Sequence, residues 1–155
     1  MRAVLRELAL DHYPPFFRDW QFLAAIAFAL LFWFGLAWFA PNTRGLGFSF
    51  AALLSVCIAQ PIIEEILFRG VIQGEFLRRP WGLAERFGIS AANAATSIVF
   101  TALHFISHPP AWAASVLIPS LLFGYFRERH RSLYPPLTLH IYYNTGYFLT
   151  TGVLT

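Results

Sequence analysis

The sequence predicts an all-α fold, a polytopic membrane helical bundle of about five transmembrane helices. Of its 155 residues, 57% are hydrophobic and 18% aromatic, but only 12% are charged, against roughly a quarter in an average soluble domain. A domain of this size leaves much of its surface exposed, so its 17 Phe and 5 Trp side chains need lipid to cover them. The lipid bilayer is the first partner that the composition predicts.

Two other classes of protein fit the composition poorly. The formal net charge is +3, and every basic residue is an Arg scattered along the chain, so no groove for phosphates is predicted and nucleic acid is not an expected partner. Cys57 is the only cysteine, which excludes an intramolecular disulfide and a cysteine metal cluster.

Stretches without Asp, Glu or Arg mark the five helices, each of which needs about 20 residues to span a bilayer. The prolines at His108-Pro109-Pro110 divide the third stretch into two helices. Pro135-Pro136 stands near the start of the last stretch, where the missing N–H groups do least harm. The uncharged stretches are residues 20–43, 45–63, 87–126 and 132–155.

Arginines predict the orientation of the bundle. Successive segments outside the predicted spans carry three, one, three, no and three arginines. By the positive-inside rule the N-terminus is cytoplasmic and the C-terminus lies on the far side. Residues 1–19, with Arg2, Arg6 and Arg18, are predicted to form a cytoplasmic interfacial segment before the helical domain of residues 20–155.

Three charged residues extend the second apolar stretch: Glu64, Glu65 and Arg69. An ionisable group near the bilayer centre costs on the order of 3 kcal/mol, so it marks a functional site by default. Glu65 and Arg69 have the i, i+4 spacing of a helical ion pair, while Glu64 lies about 100° away around the helix. The alternative is a polar clasp that only orients helix packing.

Two further helices each carry a pair of residues one turn apart. Phe100 and His104 share one face of the third predicted helix, and His140 and Asn144 share one face of the fifth. His104 alone is compatible with a packing histidine, and the pair His140 and Asn144 alone is compatible with simple interhelical hydrogen bonding.

Depth along the helices connects these residues. We counted 1.5 Å per residue from the predicted cytoplasmic ends, near Leu77, Ser90 and Ser132. The four polar side chains then fall in one layer, with Glu64 at roughly 20 Å, His104 at roughly 21 Å, His140 at roughly 12 Å and Asn144 at roughly 18 Å. A catalytic cluster requires this agreement, whereas unrelated polar residues do not.

In order along the chain, the three patterns EExxxR at 64–69, FxxxH at 100–104 and HxxxN at 140–144 resemble the motifs of the CPBP family. These are the CAAX-protease and bacteriocin-processing, or Abi, intramembrane proteases. The resemblance covers residues 51–148. Relatives commonly have more spans, so the chain resembles a minimal form, similar to short glutamic-type members associated with bacterial C-terminal sorting-signal systems.

The resemblance implies an intramembrane protease, in a bacterial inner membrane, that hydrolyses a peptide bond of a membrane-anchored protein without a metal or another cofactor. Glu64 would be the general base and His104 would share or relay its proton. His140 and Asn144 would bind the oxyanion of the tetrahedral intermediate. Glu65, Arg69 and the motif residue Phe100 would support the site.

The chemistry of these residues agrees with such a role. A desolvated carboxylate has a raised proton affinity, which suits a base that activates water. Preorganised donors to an oxyanion are worth about 2.7–4 kcal/mol each, and both an amide NH₂ and an imidazole N–H can donate. Pro61 is expected to disturb the helix and admit water beside Glu64.

Two alternatives stay open from the sequence. A zinc-dependent protease would use His104 and His108, one turn apart, with Glu64 or Glu65 and His140. However, the pattern is not HExxH, and His108 directly precedes two prolines. A non-catalytic immunity or binding protein would use the polar cluster to hold a peptide, and it should tolerate Glu64→Gln.

Overall fold

The computed structural model describes residues 2–39 and 50–151, and nearly all of these are helical, which confirms the predicted helical class. One antiparallel hairpin pairs β1 (Glu85–Arg86) with β2 (Ile89–Ser90). Single 3₁₀ turns occupy Phe16–Arg18 and Pro80–Leu83. The helices are α1 (Arg2–Glu7), α2 (Trp20–Phe39), α3 (Phe50–Leu77), α4 (Ala91–His104), α5 (Pro110–Ser115), α6 (Leu117–His130) and α7 (Tyr134–Thr151).

Two helices are long and apolar enough to cross a membrane, by length and composition: Trp20–Trp38 with 19 residues and Phe50–Leu77 with 28. Helices α4 and α6 have 14 residues each, or about 21 Å against a hydrocarbon core of about 30 Å. The number of five spans therefore stays a prediction. The predicted span ends at residues 40–49 and 152–155 lie outside the described residues.

The third predicted helix, whose cytoplasmic end was expected near Ser90, begins at Ala91. Residues 87–90 belong to the hairpin, because Phe87 and Gly88 have φ values of +54° and +79° and turn the chain. Ser90 then caps α4, since its side chain accepts a hydrogen bond from the Asn93 backbone N–H at 2.9 Å. Residues 87–90, which begin the uncharged stretch, therefore lie outside α4, and the helix begins next to the expected end near Ser90.

The fourth predicted helix is divided at Val116, which separates α5 from α6. Pro119 explains the division, because it has no N–H and its ring would clash with the carbonyl group of Ser115. At its other end α6 stops at Arg131, whose φ of 50° is the left-handed conformation common after a helix.

Helix α3 is irregular, with π segments at Ser55–Ala59 and Ile66–Ile72. After each segment a backbone N–H bonds five residues back: Gln60 to the Ser55 carbonyl and Gln73 to the Phe68 carbonyl. The first segment ends two residues before Pro61, the position where the sequence predicts a disturbed helix.

The chain divides into two compact units. The first unit comprises Met1–Pro14 and Glu64–Pro136, and the second comprises Pro15–Ile63 and Leu137–Thr155. In the first unit α4 packs closely on α6, and a side chain at Gly124 would collide with Asn93. The absence of a side chain at Gly124 therefore allows the close approach of α4 and α6.

Within the first unit the chain between residues 8 and 14 lies along the start of α7. The Leu133 N–H donates to the Ala9 carbonyl at 2.8 Å, and the Ser132 hydroxyl donates to the His12 carbonyl at 2.9 Å. Of the predicted interfacial helix only Arg2–Glu7 is α-helical.

In the second unit α2 packs against α7. The Tyr143 hydroxyl donates to the Ala25 carbonyl at 3.0 Å, and the ring centroids of Trp33 and Tyr142 are 4.7 Å apart. Gly146 lies against Trp33, where any side chain would overlap the indole ring.

Candidate active site

The predicted ion pair is present and lies inside the first unit. Glu65 and Arg69 are both fully buried, with 0% of each residue exposed. Arg69 Nε lies 3.7 Å from Glu65 Oε2. A buried charge without a partner is very costly, so each of the two residues requires the other.

The Arg69 guanidinium joins three helices. Its Nη2 donates to both the carbonyl oxygen and the hydroxyl of Ser120 on α6, at 2.9 and 2.6 Å. Its Nη1 donates to Gln73 Oε1 on α3 at 3.3 Å and to Ser97 Oγ on α4 at 3.4 Å. Arg69 thus uses the several donors of its planar group to link helices.

A second carboxylate lies at the end of this network. Glu128 Oε1 on α6 accepts from Gln73 Nε2 and from the Ser90 hydroxyl, each at 2.6 Å. The Ser97 hydroxyl donates to Asn93 Oδ1 at 3.1 Å. The polar residues from Arg69 to the N-terminal cap of α4 are therefore connected through side chains of all three helices.

The sequence analysis missed the residues that hold Arg69. Gln73 had a signal, because it is four residues after Arg69 and shares its helical face. Ser97, Ser120 and Glu128 had none, because they come from other helices and their side chains are common in many contexts.

Phe100 connects the ion pair to α4. The Arg69 Cζ atom lies 5.8 Å from the centroid of the Phe100 ring, within the range of a cation–π contact. Phe68 packs edge-on against the same ring, with centroids 4.9 Å apart and an interplanar angle of 89°. The motif phenylalanine is thus held between the arginine and a second aromatic ring.

The backbone of Phe100 also orients His104. His104 Nδ1 lies 2.8 Å from the Phe100 carbonyl oxygen. A carbonyl only accepts, so Nδ1 carries the hydrogen, and in the neutral ring Nε2 keeps its lone pair. His104 is half-buried, and this tautomer lets Nε2 accept a proton.

The adjacent glutamates occupy different environments. Glu65 is fully buried beside Arg69, whereas Glu64 is half-buried. This is the difference that helical spacing predicts. The role of Glu64 as general base stays a prediction.

His108 lies beyond His104 in an aromatic stack. Its ring is parallel to within 20° of Trp112, with centroids 4.2 Å apart, and its Nδ1 lies 3.3 Å from the His104 carbonyl oxygen. Within residues 2–39 and 50–151, no three side chains of His, Cys, Asp or Glu are grouped so that they could hold a metal ion.

The other two predicted catalytic residues belong to the second unit. His140 is buried, with 5% of the residue exposed. The Asn144 side chain is half-buried, and its Nδ2 donates to the Val56 carbonyl at 3.1 Å. Their position beside Glu64 and His104 stays a prediction.

Comparison with protein families is consistent with these motifs. A family model described as "Type II CAAX prenyl endopeptidase Rce1-like" matches residues 45–146, which include all three motifs. The match covers well over half of the chain, which therefore belongs to this family. Membership implies a membrane-embedded CAAX-type protease and confirms the resemblance found in the sequence. No curated protein and no solved structure matches the chain significantly.

Proposed function

We propose that this chain is an intramembrane endopeptidase that hydrolyses a peptide bond of a membrane-anchored protein by activating water with Glu64 and His104. The observation that carries the proposal is the hydrogen bond between His104 Nδ1 and the Phe100 carbonyl oxygen, at 2.8 Å. It leaves Nε2 as a proton acceptor on a helix that contacts the buried Glu65–Arg69 pair through Phe100.

In the first step Glu64 removes a proton from water, and His104 Nε2 shares that proton. The water oxygen bonds to the carbonyl carbon of the substrate while the electrons of the C=O bond move onto oxygen. The resulting oxyanion accepts hydrogen bonds from the imidazole of His140 and the amide of Asn144. An amide NH₂ has two hydrogens, so Asn144 can serve both Val56 and the oxyanion.

In the second step the C=O bond re-forms and the C–N bond breaks. The proton held by Glu64 and His104 passes to the leaving nitrogen, giving a free amine and a new carboxyl terminus. Glu65, Arg69 and Phe100 act as positioning residues, because Arg69 holds Glu65 on the helix of Glu64 and Phe100 orients His104. In a dry site such fixed charges act more strongly than in water.

The proposal includes location and substrate class. The arginine distribution supports a cytoplasmic N-terminus, and the family resemblance favours a bacterial inner membrane. The matched family is named for prenyl endopeptidases, so the proposed substrates are anchored at the membrane surface by a lipid or an apolar segment.

Comparing the termini of membrane proteins in cells tests the proposal. Three strains would produce the wild-type chain, Glu64→Gln or Glu75→Gln, and a fourth would lack the chain. Glu75 is the matched control, because it lies on the same helix, is outside the proposed site and pairs with Arg78 and Arg79. We expect new termini with the wild type and with Glu75→Gln but not with Glu64→Gln. Equal termini with Glu64→Gln, at equal amounts of folded protein, would contradict the proposal.

A substrate found in this way separates the two alternatives from the sequence. The purified protein should cleave it in the presence of a strong chelator. Loss of cleavage on chelation, reversed by added zinc, would favour the metalloprotease. If the wild type generates no new termini, the binding or immunity role is favoured instead.

A further inference from the structure

The tight turn of the hairpin carries an unexpected residue. Phe87 and Gly88 have φ values of +54° and +79°, as in the two-residue turns that favour Asn-Gly or Asp-Gly. A bulky residue with positive φ is an outlier. Phe87 is also 91% exposed, so packing inside the first unit does not compensate for the strain.

Phe87 is part of a larger exposed apolar surface. Trp81 and Leu83, in the same connection between α3 and α4, are 49% and 65% exposed. One arginine lies beside these side chains, because the Arg86 Cζ atom lies 5.1 Å from the centroid of the Phe87 ring. Residues 75–90 contain three arginines, Arg78, Arg79 and Arg86, and two acidic residues, Glu85 and Glu75, of which Glu75 pairs with Arg78 and Arg79. We call Trp81, Leu83, Arg86 and Phe87 the hairpin surface.

The position of the hairpin surface in the chain indicates what covers it. Helix Phe50–Leu77 is long and apolar enough to cross a membrane, and Trp81 follows its last residue by four positions. The surface therefore belongs to a segment at a membrane boundary. There, aromatic side chains favour the headgroup level, and arginines attract anionic lipids.

We propose that the hairpin surface inserts into the headgroup layer of the bilayer and binds anionic phospholipid. Phe87, Trp81 and Leu83 would reach the boundary of the acyl chains. Arg86, beside Phe87, would donate to a lipid phosphate, whose geometry suits a guanidinium. The strain at Phe87 is then explained, because the turn directs an aromatic ring outward into lipid.

A spin label beside the surface can measure this insertion. The chain has one cysteine, Cys57, which is buried, so Cys57→Ser with Ala84→Cys provides a single labelling site. Ala84 is exposed and outside the hairpin surface. The protein would be placed in vesicles of phosphatidylcholine alone, or of equal parts phosphatidylcholine and phosphatidylglycerol. Collisions with oxygen report lipid, and collisions with a water-soluble nickel chelate report solvent.

In the mixed vesicles we expect the label to collide more often with oxygen than with the nickel chelate. Phe87→Asn should lower the equilibrium constant for insertion about tenfold, because it removes the burial of one aromatic side chain. Asn is well suited to this turn, so the thermal midpoint should be unchanged or higher. Phe87→Trp is the matched control and should keep the insertion. Arg86→Gln should reduce the difference between the two kinds of vesicle.

Three results would overturn the proposal. The first is nickel dominating in both kinds of vesicle, and the second is a label whose environment does not respond to Phe87→Asn. The third is shielding of the label only after membrane proteins are added, which would identify a protein partner instead. None of these measurements depends on proteolysis, so the result is independent of the proposed enzymatic activity.

Discussion

Each of the two π segments of α3 leaves one backbone carbonyl without its α-helical N–H donor, but a different kind of side chain donates to that carbonyl in each segment. In the first segment, Gln60 N–H bonds to the Ser55 carbonyl, so the Val56 carbonyl, its α-helical acceptor, is passed over. The neutral amide of Asn144 donates to that carbonyl at 3.1 Å. In the second, Gln73 N–H bonds to the Phe68 carbonyl, and the Arg69 carbonyl is passed over.

In the second segment the donor is charged. Arg127 Nε on α6 donates to the Arg69 carbonyl at 3.1 Å. No proline stands here, whereas Pro61 follows the last residue of the first segment by two positions. The backbone of the second segment could return to regular α-helix, so its geometry depends on tertiary contacts. One such contact is Gly70, where a side chain would meet Leu8 at 3.0 Å.

The comparison indicates that the two π segments have different physical causes. Pro61 imposes the first segment through covalent structure, because it has no N–H and its ring crowds the preceding turn. The second segment is maintained by the interactions of Arg69 and Arg127 with other helices. We therefore expect mutations at the two segments to change the free energy of unfolding by different amounts, and only those at the first segment to depend on Pro61.

The largest expected effect follows from Arg69→Leu. It leaves the Glu65 carboxylate buried without its cation, at a cost of about 3–5 kcal/mol in the free energy of unfolding. Glu65→Gln should likewise reduce folded yield, whereas Glu64→Gln should preserve it. Unfolding in detergent by denaturant measures the change.

The control for Arg69→Leu is Arg79→Leu, which breaks a second i, i+4 pair, Glu75–Arg79, at 2.6 Å. Glu75 lies in the last turn of the same helix, and Arg79 follows the last helical residue, Leu77, by two positions. That pair is exposed, so little change is expected. Equal losses for the two variants would show that burial does not decide the stability of these pairs.

A smaller effect is expected for Asn144→Leu. It leaves the Val56 carbonyl without its donor, at a cost of about 1–3 kcal/mol. In a Pro61→Ala background the new N–H lets the backbone return to regular α-helix, so the same substitution should cost less. A double-mutant cycle of unfolding free energies measures this coupling.

The four proteins of this cycle are the wild type, Asn144→Leu, Pro61→Ala and the double variant. They also test the catalytic role of Asn144. If its amide donates to the oxyanion, Asn144→Leu should lower kcat in both backgrounds, while the stability coupling depends on Pro61. An identical stability cost with and without Pro61 would contradict the explanation of the first π segment.

The smallest effect is expected for Arg127→Leu, which removes the donor to the Arg69 carbonyl. Because no proline stands in this turn, the backbone can adjust, and we expect a loss of about 1 kcal/mol. Arg129→Leu, at an exposed position of the same helix, should change stability less. A loss at Arg127 larger than that at Asn144 would reverse the assigned origins of the two segments.

Much of the local structure could be predicted from the sequence. Pro109-Pro110 precede and begin α5, and Pro135-Pro136 fall in the first turn of α7, as proline chemistry requires. Pro119 is a further local signal, because a proline inside a predicted helix indicates an interruption. The hairpin at residues 85–90 was missed, because Phe87 is an unusual residue for a tight turn.

For the candidate site, the sequence by itself determined which residues share a helical face. The pairs Glu65–Arg69 and Phe100–His104 follow from 3.6 residues per turn, and the structure has both. Only the tertiary structure decided that Ser120 holds Arg69 and that Asn144 serves the Val56 carbonyl. Contacts within a helix depend on local spacing alone, whereas contacts between helices depend on a packing register that many weak interactions set together.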